Sequence, residues 1–472
     1  MTTTDFQTAT LFRFATAGSV DDGKSTLVGR LLHDSKSILA DQLEAVTRTS
    51  AERGFGGSAA GTGQGQQIDL ALLTDGLRAE REQGITIDVA YRYFATEKRS
   101  FILADCPGHV QYTKNTVTGA STADAVVVLI DARKGVLEQT RRHLAVARLL
   151  RVPHIVAAVN KIDLVEFSEA VFRDVEEQLL LAAAELGLPD VRVVPVSALE
   201  GDNVVELSAR TPWYTGPALL EVLETLPAVD ELENESEAFR FPVQSVIRPQ
   251  GALAPGLDPE AFRDYRGYAG QLASGVVRVG DSVTVLGSAA GTQITTSVAG
   301  IDFACTALPE ASAPQSVVLR LGDDIDVSRG DLLVATGTFA AASRDLHASL
   351  CWLSPKPLRE GARVLIKHGS RTVQGIVGAI TGRLDLASFS EGPAADLGLN
   401  DIGTVHIRLA SALPVEDYER HRRTGAFLVI DPVDGNTLAA GIVGGTPDTQ
   451  TGSAVPAGAD ARVGREGEPR GG

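Results

Sequence analysis

The chain has 472 residues, about three times the length of one typical domain, which predicts several domains. Hydrophobic residues make up 44% and only three cysteines occur, so a disulfide scaffold is excluded and the reducing cytoplasm is the expected location. The net charge of -17 weighs against extended contact with RNA or DNA, because that binding needs many basic residues. The first ten residues lack a signal-peptide pattern, and the densest apolar run, 125–130, is too short to span a membrane.

The first half of the chain alternates short apolar runs with longer amphipathic segments. This alternation predicts an α/β domain with a mostly parallel sheet and helices on both faces. The predicted strands are 11–17, 101–104, 125–130, 154–159 and 191–196. The predicted helices are 26–32, 139–150, 168–186 and 217–226.

The pattern changes near residue 228, where the acidic segment 230–237 is typical of a linker. Short valine-rich runs separated by Gly, Asp and Pro then predict two small antiparallel β-barrels. The predicted domains are 1–228, the α/β domain, 229–341 and 342–444, the two barrels, and 445–472, a disordered tail. The glycine-rich segment 54–67 is also expected to lack regular structure.

A phosphate-binding loop follows the first predicted strand. The residues GSVDDGKS (18–25) fit the pattern G-x-x-x-x-G-K-[ST] between a strand and a helix. The two glycines allow backbone N–H groups to point at phosphate oxygens. Lys24 is predicted to bridge the β- and γ-phosphates, and the Ser25 hydroxyl to bind Mg²⁺. The predicted nucleotide contacts of this loop are Gly18, Ser19, Val20, Asp21, Asp22, Gly23, Lys24, Ser25 and Thr26. An ordinary glycine turn before a helix is the alternative.

A second phosphate element is DCPGH (105–109), at the end of a predicted strand. Asp105 is placed to hold Mg²⁺, although an aspartate at a strand end is often only a helix cap. Gly108 lets the backbone approach the γ-phosphate, and His109 is predicted to position the attacking water. The predicted nucleotide contacts here are Asp105, Cys106, Pro107, Gly108 and His109. Cys106 is interpreted as a structural thiol, like Cys305 and Cys351.

Two further strand ends carry elements for base recognition. In NKID (160–163), the Asp163 carboxylate can accept from the N1–H and the exocyclic amino group of guanine. The later SAL segment, Ser197, Ala198 and Leu199, can donate a backbone N–H to guanine O6. The predicted base-site residues of the first element are Asn160, Lys161 and Asp163.

A switch threonine is predicted between these elements. The segment REQGITI (81–87) offers Thr86, whose hydroxyl can reach Mg²⁺ and whose N–H can reach the γ-phosphate. A plain strand threonine is the alternative. The predicted catalytic residues are therefore Lys24, Thr86 and His109, and the predicted Mg²⁺ ligands are Ser25, Thr86 and Asp105.

In this order, GSVDDGKST, REQGITI, DCPGH, NKID and SAL resemble the translation-factor branch of GTPases. The longer strings at 69–94 and 108–143, together with SALEGDNV and FRFPVQSVIRP, resemble the large GTPase subunits of bacterial sulfate adenylyltransferase (ATP sulfurylase). The resemblance covers about residues 11–443.

This resemblance implies a GTPase domain followed by two β-barrels, as in the elongation factor that delivers aminoacyl-tRNA. It also implies a smaller catalytic partner subunit, in a heterodimer, that makes adenylyl sulfate and pyrophosphate from ATP and sulfate in sulfate assimilation. GTP hydrolysis by this chain would help to drive that uphill reaction. The implied small molecules are GTP and Mg²⁺, and no nucleic acid or membrane is expected as a partner.

Two alternatives remain at this point. A translation factor would share the five elements and the barrels, but the uniform negative charge opposes it. The second alternative is a scaffold that binds GTP without useful turnover. The presence of Lys24, Thr86 and His109 makes this alternative less favoured.

Overall fold

The computed structural model describes residues 11–35, 70, 88–188, 190–229, 237–249, 253, 259–287, 293–304, 306–339 and 342–444. The predicted linker, except its last residue, the glycine-rich segment 54–67, the switch segment with Thr86, Cys305 and the tail lie outside these residues. Among the described residues, no helix is both long and apolar enough to cross a bilayer.

The first domain is an α/β unit built on a six-stranded sheet. Its strands are β1 (Leu11–Gly18), β2 (Ala90–Ala95), β3 (Ser100–Asp105), β4 (Ala125–Asp131), β5 (His154–Asn160) and β6 (Val191–Pro195). Its helices are α1 (Lys24–Asp34), α2 (Thr113–Ala120), α3 (Glu138–Leu149), α4 (Glu169–Glu185) and α5 (Leu219–Thr225). The strand order is β2-β3-β1-β4-β5-β6, and only the pair of β2 and β3 is antiparallel. The predicted mostly parallel sheet is confirmed.

The sheet is covered on both faces, which explains its continuous apolar strands. Every residue of β4 and β5 is buried, as expected for central parallel strands between two helical layers. Val126 and Val128 of β4 pack into one core with α3 and α4. Val127 and Leu129 point to the opposite core with α1 and α5. The edge strand β2 and the helix α2 were not among the predicted elements.

The second half of the chain forms two closed antiparallel barrels. The elements of the first barrel region are β7 (Arg240–Ile247), α6 (Pro259–Phe262), β8 (Gly267–Gln271), β9 (Val276–Arg278), β10 (Ser282–Leu286), β11 (Gln293–Phe303), β12 (Thr306–Leu308), β13 (Glu310–Ser312), β14 (Ser316–Leu321) and β15 (Leu332–Ala335). The order β10-β15-β7-β8-β14-β11 closes through pairing of β10 with β11. The predicted barrel is confirmed.

The second barrel follows the same plan with longer strands. Its strands are β16 (Ser343–Trp352), β17 (Leu358–Arg359), β18 (Arg363–His368), β19 (Arg371–Leu384), β20 (Glu391–Gly392), β21 (Asp396–Leu397), β22 (Ile402–Leu413), β23 (Ala426–Ile430) and β24 (Thr437–Val443). The order β18-β23-β24-β16-β22-β19 closes through pairing of β18 with β19. Closure removes the exposed edges that a flat sheet would leave for aggregation.

The second barrel packs directly on the first, α/β domain. One apolar core contains residues of α3 and α4 together with Cys351, Phe389 and Tyr418 of the barrel. The buried Tyr418 hydroxyl donates to the Leu150 carbonyl at 2.7 Å. The end of α3 is therefore held against the second barrel by both apolar packing and a hydrogen bond.

A buried ion pair joins the two barrels. Arg240 of β7, whose side chain is 2% exposed, meets Glu416 with N–O distances down to 2.7 Å. The same guanidinium donates to the side chain and the carbonyl of Thr338. Because both the charge and the hydrogen bonds of Arg240 are satisfied, its burial is tolerated.

Candidate nucleotide site

The predicted site elements meet at the carboxyl edge of the parallel sheet. The phosphate loop follows β1, DCPGH spans the end of β3, NKID spans the end of β5, and SAL follows β6 by two residues. In open α/β sheets this edge is where ligands bind. Parallel pairing brings these segments, distant in sequence, to one side of the domain.

The phosphate loop has the conformation that its glycines predict. Gly23 lies in the left-handed region with φ 92° and begins α1. A Cβ at Gly23 would lie 2.4 Å from Asn160 Nδ2. A side chain here would therefore both strain the backbone and collide with the predicted base-site asparagine.

Lys24 is 7% exposed, and its ammonium donates to the carbonyls of Gly18 at 2.9 Å and Ser19 at 2.8 Å. Burial lowers the pKa of Lys24, and the nearby Asp105 and Asp22 oppose that effect. The ammonium thus lies inside the curve of the loop, where a phosphate-binding cation is needed.

DCPGH packs tightly onto the phosphate loop. A Cβ at Gly108 would lie 2.4 Å from Lys24 Nζ and 2.7 Å from the Gly18 carbonyl oxygen. The glycine is therefore required by close approach of two backbones. The next residue, His109, is exposed, with its ring edge-to-face to Tyr112 at 6.3 Å between centroids.

Asp105 is buried at the end of β3. The hydroxyl of Thr16, its register partner on β1, donates to the Asp105 carboxylate at 2.8 Å. Thr16 therefore holds the Asp105 carboxylate in place, although no sequence motif includes Thr16. Its only signal in the sequence is a polar residue inside the apolar run of β1.

The hard oxygen donors at this place fit Mg²⁺, which prefers carboxylate and hydroxyl oxygens and retains several waters. Asp105 supplies a carboxylate, and the half-buried Ser25 supplies a hydroxyl at the start of α1. Among the described side chains, no group of three His, Cys, Asp or Glu residues is placed to hold a metal.

Asn160 joins the phosphate loop to the base loop. Its Nδ2 donates to the Asp22 carbonyl at 2.7 Å, and its Oδ1 accepts from the Ala198 N–H at 2.9 Å. The side chain is 2% exposed. The Ala198 N–H, one of the donors predicted for guanine O6, is thus used by Asn160 in this structure.

Lys161 and Asp163 occupy the rim of the same site. Lys161 donates to the Asp21 carbonyl and forms an ion pair of 3.1 Å with Asp131. Burial would raise the pKa of Asp131, but hydrogen bonds from Arg133 and Lys161 outweigh it and hold that pKa well below its usual value. Asp163 is half-buried, and its carboxylate accepts no hydrogen bond from the described residues.

Arg30 of α1 is a second residue that the motifs missed. Its guanidinium donates to the carbonyl of Ala198 at 3.2 Å and to that of Leu199. The helix that starts at the phosphate loop therefore also holds the SAL loop. Ser197 is fully buried, and its hydroxyl accepts from the Glu200 N–H at 3.2 Å.

His143 of α3 lies behind the phosphate loop. The imidazole is 2% exposed, lies near Gly18 and is 3.2 Å from Gln139 Nε2. Burial and the charge of Lys24 lower the pKa of His143 to about 3. The ring is therefore neutral at physiological pH and adds no charge to the site.

Comparison with known proteins agrees with this geometry. Residues 9–230 match the family model of the elongation factor Tu GTP-binding domain, and residues 345–444 match the GTP-eEF1A C-terminal domain-like model. Sulfate adenylyltransferase subunit 1 of Cellvibrio japonicus is 48% identical over 92% of this chain and 86% of its own length. That of Teredinibacter turnerae is 47% identical over 92% and 87%.

A longer relative, the bifunctional enzyme CysN/CysC of Mycobacterium tuberculosis, is 47% identical over 92% of this chain and 67% of its own length. Similarity of this degree over 92% of the chain leaves one assignment. The chain belongs to the sulfate adenylyltransferase subunit 1 family.

Proposed function

We propose that this chain is the GTP-hydrolysing subunit of a sulfate adenylyltransferase, and that hydrolysis helps to drive formation of adenylyl sulfate and pyrophosphate from ATP and sulfate. Support comes from relatives with that name along nearly the whole chain. The observation that carries the GTPase part is Asn160, which connects the phosphate loop and the base loop through two buried hydrogen bonds.

We assign each site residue the role that its motif predicts. Lys24 neutralises charge on the β- and γ-phosphates, and Gly108 brings the backbone to the γ-phosphate. Asp163 selects guanine, because adenine lacks the two donors that its carboxylate needs. His109 orients the attacking water, and Thr86 closes on the γ-phosphate.

Mg²⁺ would be held by Ser25, Asp105 and Thr86, and when bound it neutralises charge that develops on the phosphates. The hydrogen bond from Thr16 would keep the Asp105 carboxylate in a fixed position for this role. Adenylyl transfer itself belongs to a smaller partner subunit. We place the complex in the cytoplasm, which agrees with the free thiols of Cys106 and Cys351.

The test is pyrophosphate release from ATP and sulfate by the complex that co-purifies with the tagged chain, with and without GTP. We expect sulfate-dependent release that GTP stimulates and that Lys24→Ala leaves unstimulated. If a partner co-purifies but GTP has no effect, coupling is refuted. If no sulfate-dependent release occurs, the assignment to sulfate activation is refuted and ribosome-stimulated hydrolysis becomes the alternative to test.

A further inference from the structure

A buried carboxylate lies inside the phosphate loop. Asp22 is 2% exposed, and its Oδ2 accepts from the Ser19 N–H at 2.6 Å. The same oxygen would lie 3.5 Å from a Cβ on Gly18. The carboxylate therefore folds back across the loop toward its first residues.

This carboxylate is not neutralised by a direct partner. Its Oδ1 is buried and has no hydrogen bond from the described residues. Lys24, two residues away, directs its ammonium to the carbonyls of Gly18 and Ser19 instead. Burial, the largest influence, raises the pKa of Asp22. The hydrogen bond from Ser19 and the charges of Lys24 and Lys134 oppose this effect only in part, and the charge of Asp131 adds to it.

A phosphate loop binds anions by presenting N–H donors to phosphate oxygens. In this loop the Ser19 N–H already donates to a carboxylate. An incoming phosphate group either lies close to the negative charge of Asp22 or has to displace that carboxylate from the Ser19 N–H. Both outcomes weaken binding, because like charges at short range repel and a buried carboxylate that loses its donor is destabilised.

We propose that Asp22 weakens the binding of the diphosphate group and thereby accelerates spontaneous release of GDP. The inference rests on the proposed GTPase function and adds a residue that controls exchange of GDP for GTP. Asp22 acts on the phosphates through charge and through the Ser19 N–H. Its carboxylate takes no part in recognition of the base; only the Asp22 backbone carbonyl contacts Asn160.

The test compares Asp22→Asn with the wild-type chain. Asparagine keeps an oxygen acceptor for the Ser19 N–H at nearly the same size and removes the charge. Release of fluorescently labelled GDP is followed after a chase with excess unlabelled GDP. We expect release to slow by about tenfold or more, as removal of one like charge near the phosphates would give.

A matched control is Asp124→Asn. Asp124 is also 2% exposed, and its Oδ2 accepts from the Arg13 N–H at the same distance of 2.6 Å. It lies immediately before β4, at the sheet edge opposite the site. We expect this variant to change thermal stability and to leave GDP release at the wild-type rate.

Two further measurements separate charge from loop shape. Competition by guanosine, which has no phosphate, is expected to be the same for Asp22→Asn and wild type, whereas a distorted loop would change it. Asp22→Ser, which is smaller and neutral, is expected to slow GDP release as well. It replaces Asp22→Asn as the test variant if Asp22→Asn does not fold.

Unchanged or faster GDP release in the folded neutral variants overturns the inference, as does an equal change in guanosine binding. These outcomes are distinct from failure of the proposed function. If the wild-type chain binds no labelled GDP at all, the GTPase assignment fails; if it binds GDP and the variants release it at the wild-type rate, only the role of Asp22 fails.

Discussion

Removal of the Asn160 side chain tests how the two halves of the nucleotide site are held together. Asn160→Ala deletes the hydrogen bonds to the Asp22 carbonyl at 2.7 Å and from the Ala198 N–H at 2.9 Å. Both backbone groups are left without a partner in a buried place, at about 1–3 kcal/mol each. We expect the two loops to separate in the free variant, so that nucleotide binding has to restore their arrangement at this cost. The lower sum, about 2 kcal/mol, then corresponds to about a thirtyfold loss of affinity.

The assay is titration of labelled GDP and GTP, with thermal unfolding measured on the same samples. We expect Asn160→Ala to bind both nucleotides at least about thirtyfold more weakly, because the phosphate loop and the base loop lose the two hydrogen bonds that hold them together. Asn203→Ala is the matched control, because Asn203 is fully buried and its Nδ2 donates to the Pro195 carbonyl and the Thr211 hydroxyl, each at 2.9 Å. It should lose stability and keep its nucleotide affinity.

Wild-type affinity in a folded Asn160→Ala variant would refute the linking role of this side chain. Equal loss of affinity in Asn203→Ala would mean that general destabilisation of the domain, rather than the bridge, controls binding.

Three other substitutions test separate parts of the molecule. Asp163→Asn is expected to shift preference from GTP toward xanthosine triphosphate, since an amide complements the altered ring edge. Competition binding measures this preference, and retained guanine selectivity would contradict the assignment of Asp163 to the base site. His109→Ala should bind GTP normally and hydrolyse it more slowly by about 10²–10⁴-fold, the usual effect of losing a group that handles the attacking water; unaltered single-turnover hydrolysis removes His109 from the mechanism. Glu416→Ala leaves the buried Arg240 cation unpaired and should destabilise the barrel junction by about 3–5 kcal/mol; an unchanged midpoint of thermal unfolding would show that the ion pair is not needed there.

The local elements of the site were predictable because each depends on neighbours in the chain. A glycine with φ 92° just before Lys24 is what the spacing of GSVDDGKS predicts. The buried strands β4 and β5 follow directly from uninterrupted apolar runs. Thr86 lies outside the described residues, so its role as a switch residue stays a prediction.

Contacts between distant segments were not predictable from motifs. Arg30 holds the carbonyls of residues 198 and 199, and Thr16 holds Asp105 across two strands. Neither residue belongs to a recognisable string. The Ala198 N–H illustrates the same limit, because its use by Asn160 depends on how two loops approach one another.

Periodicity and short motifs reflect local backbone requirements, so they were sufficient to predict the fold class, the two barrels and the nucleotide-binding character of the site. Three contacts became visible only in the folded chain: Asp22 folds back onto Ser19, Tyr418 fixes the end of α3, and Arg240 pairs with Glu416. The last two contacts join residues 176 or more positions apart. Even the contact within the phosphate loop depends on the packing around it, which places the Asp22 carboxylate where water cannot reach it.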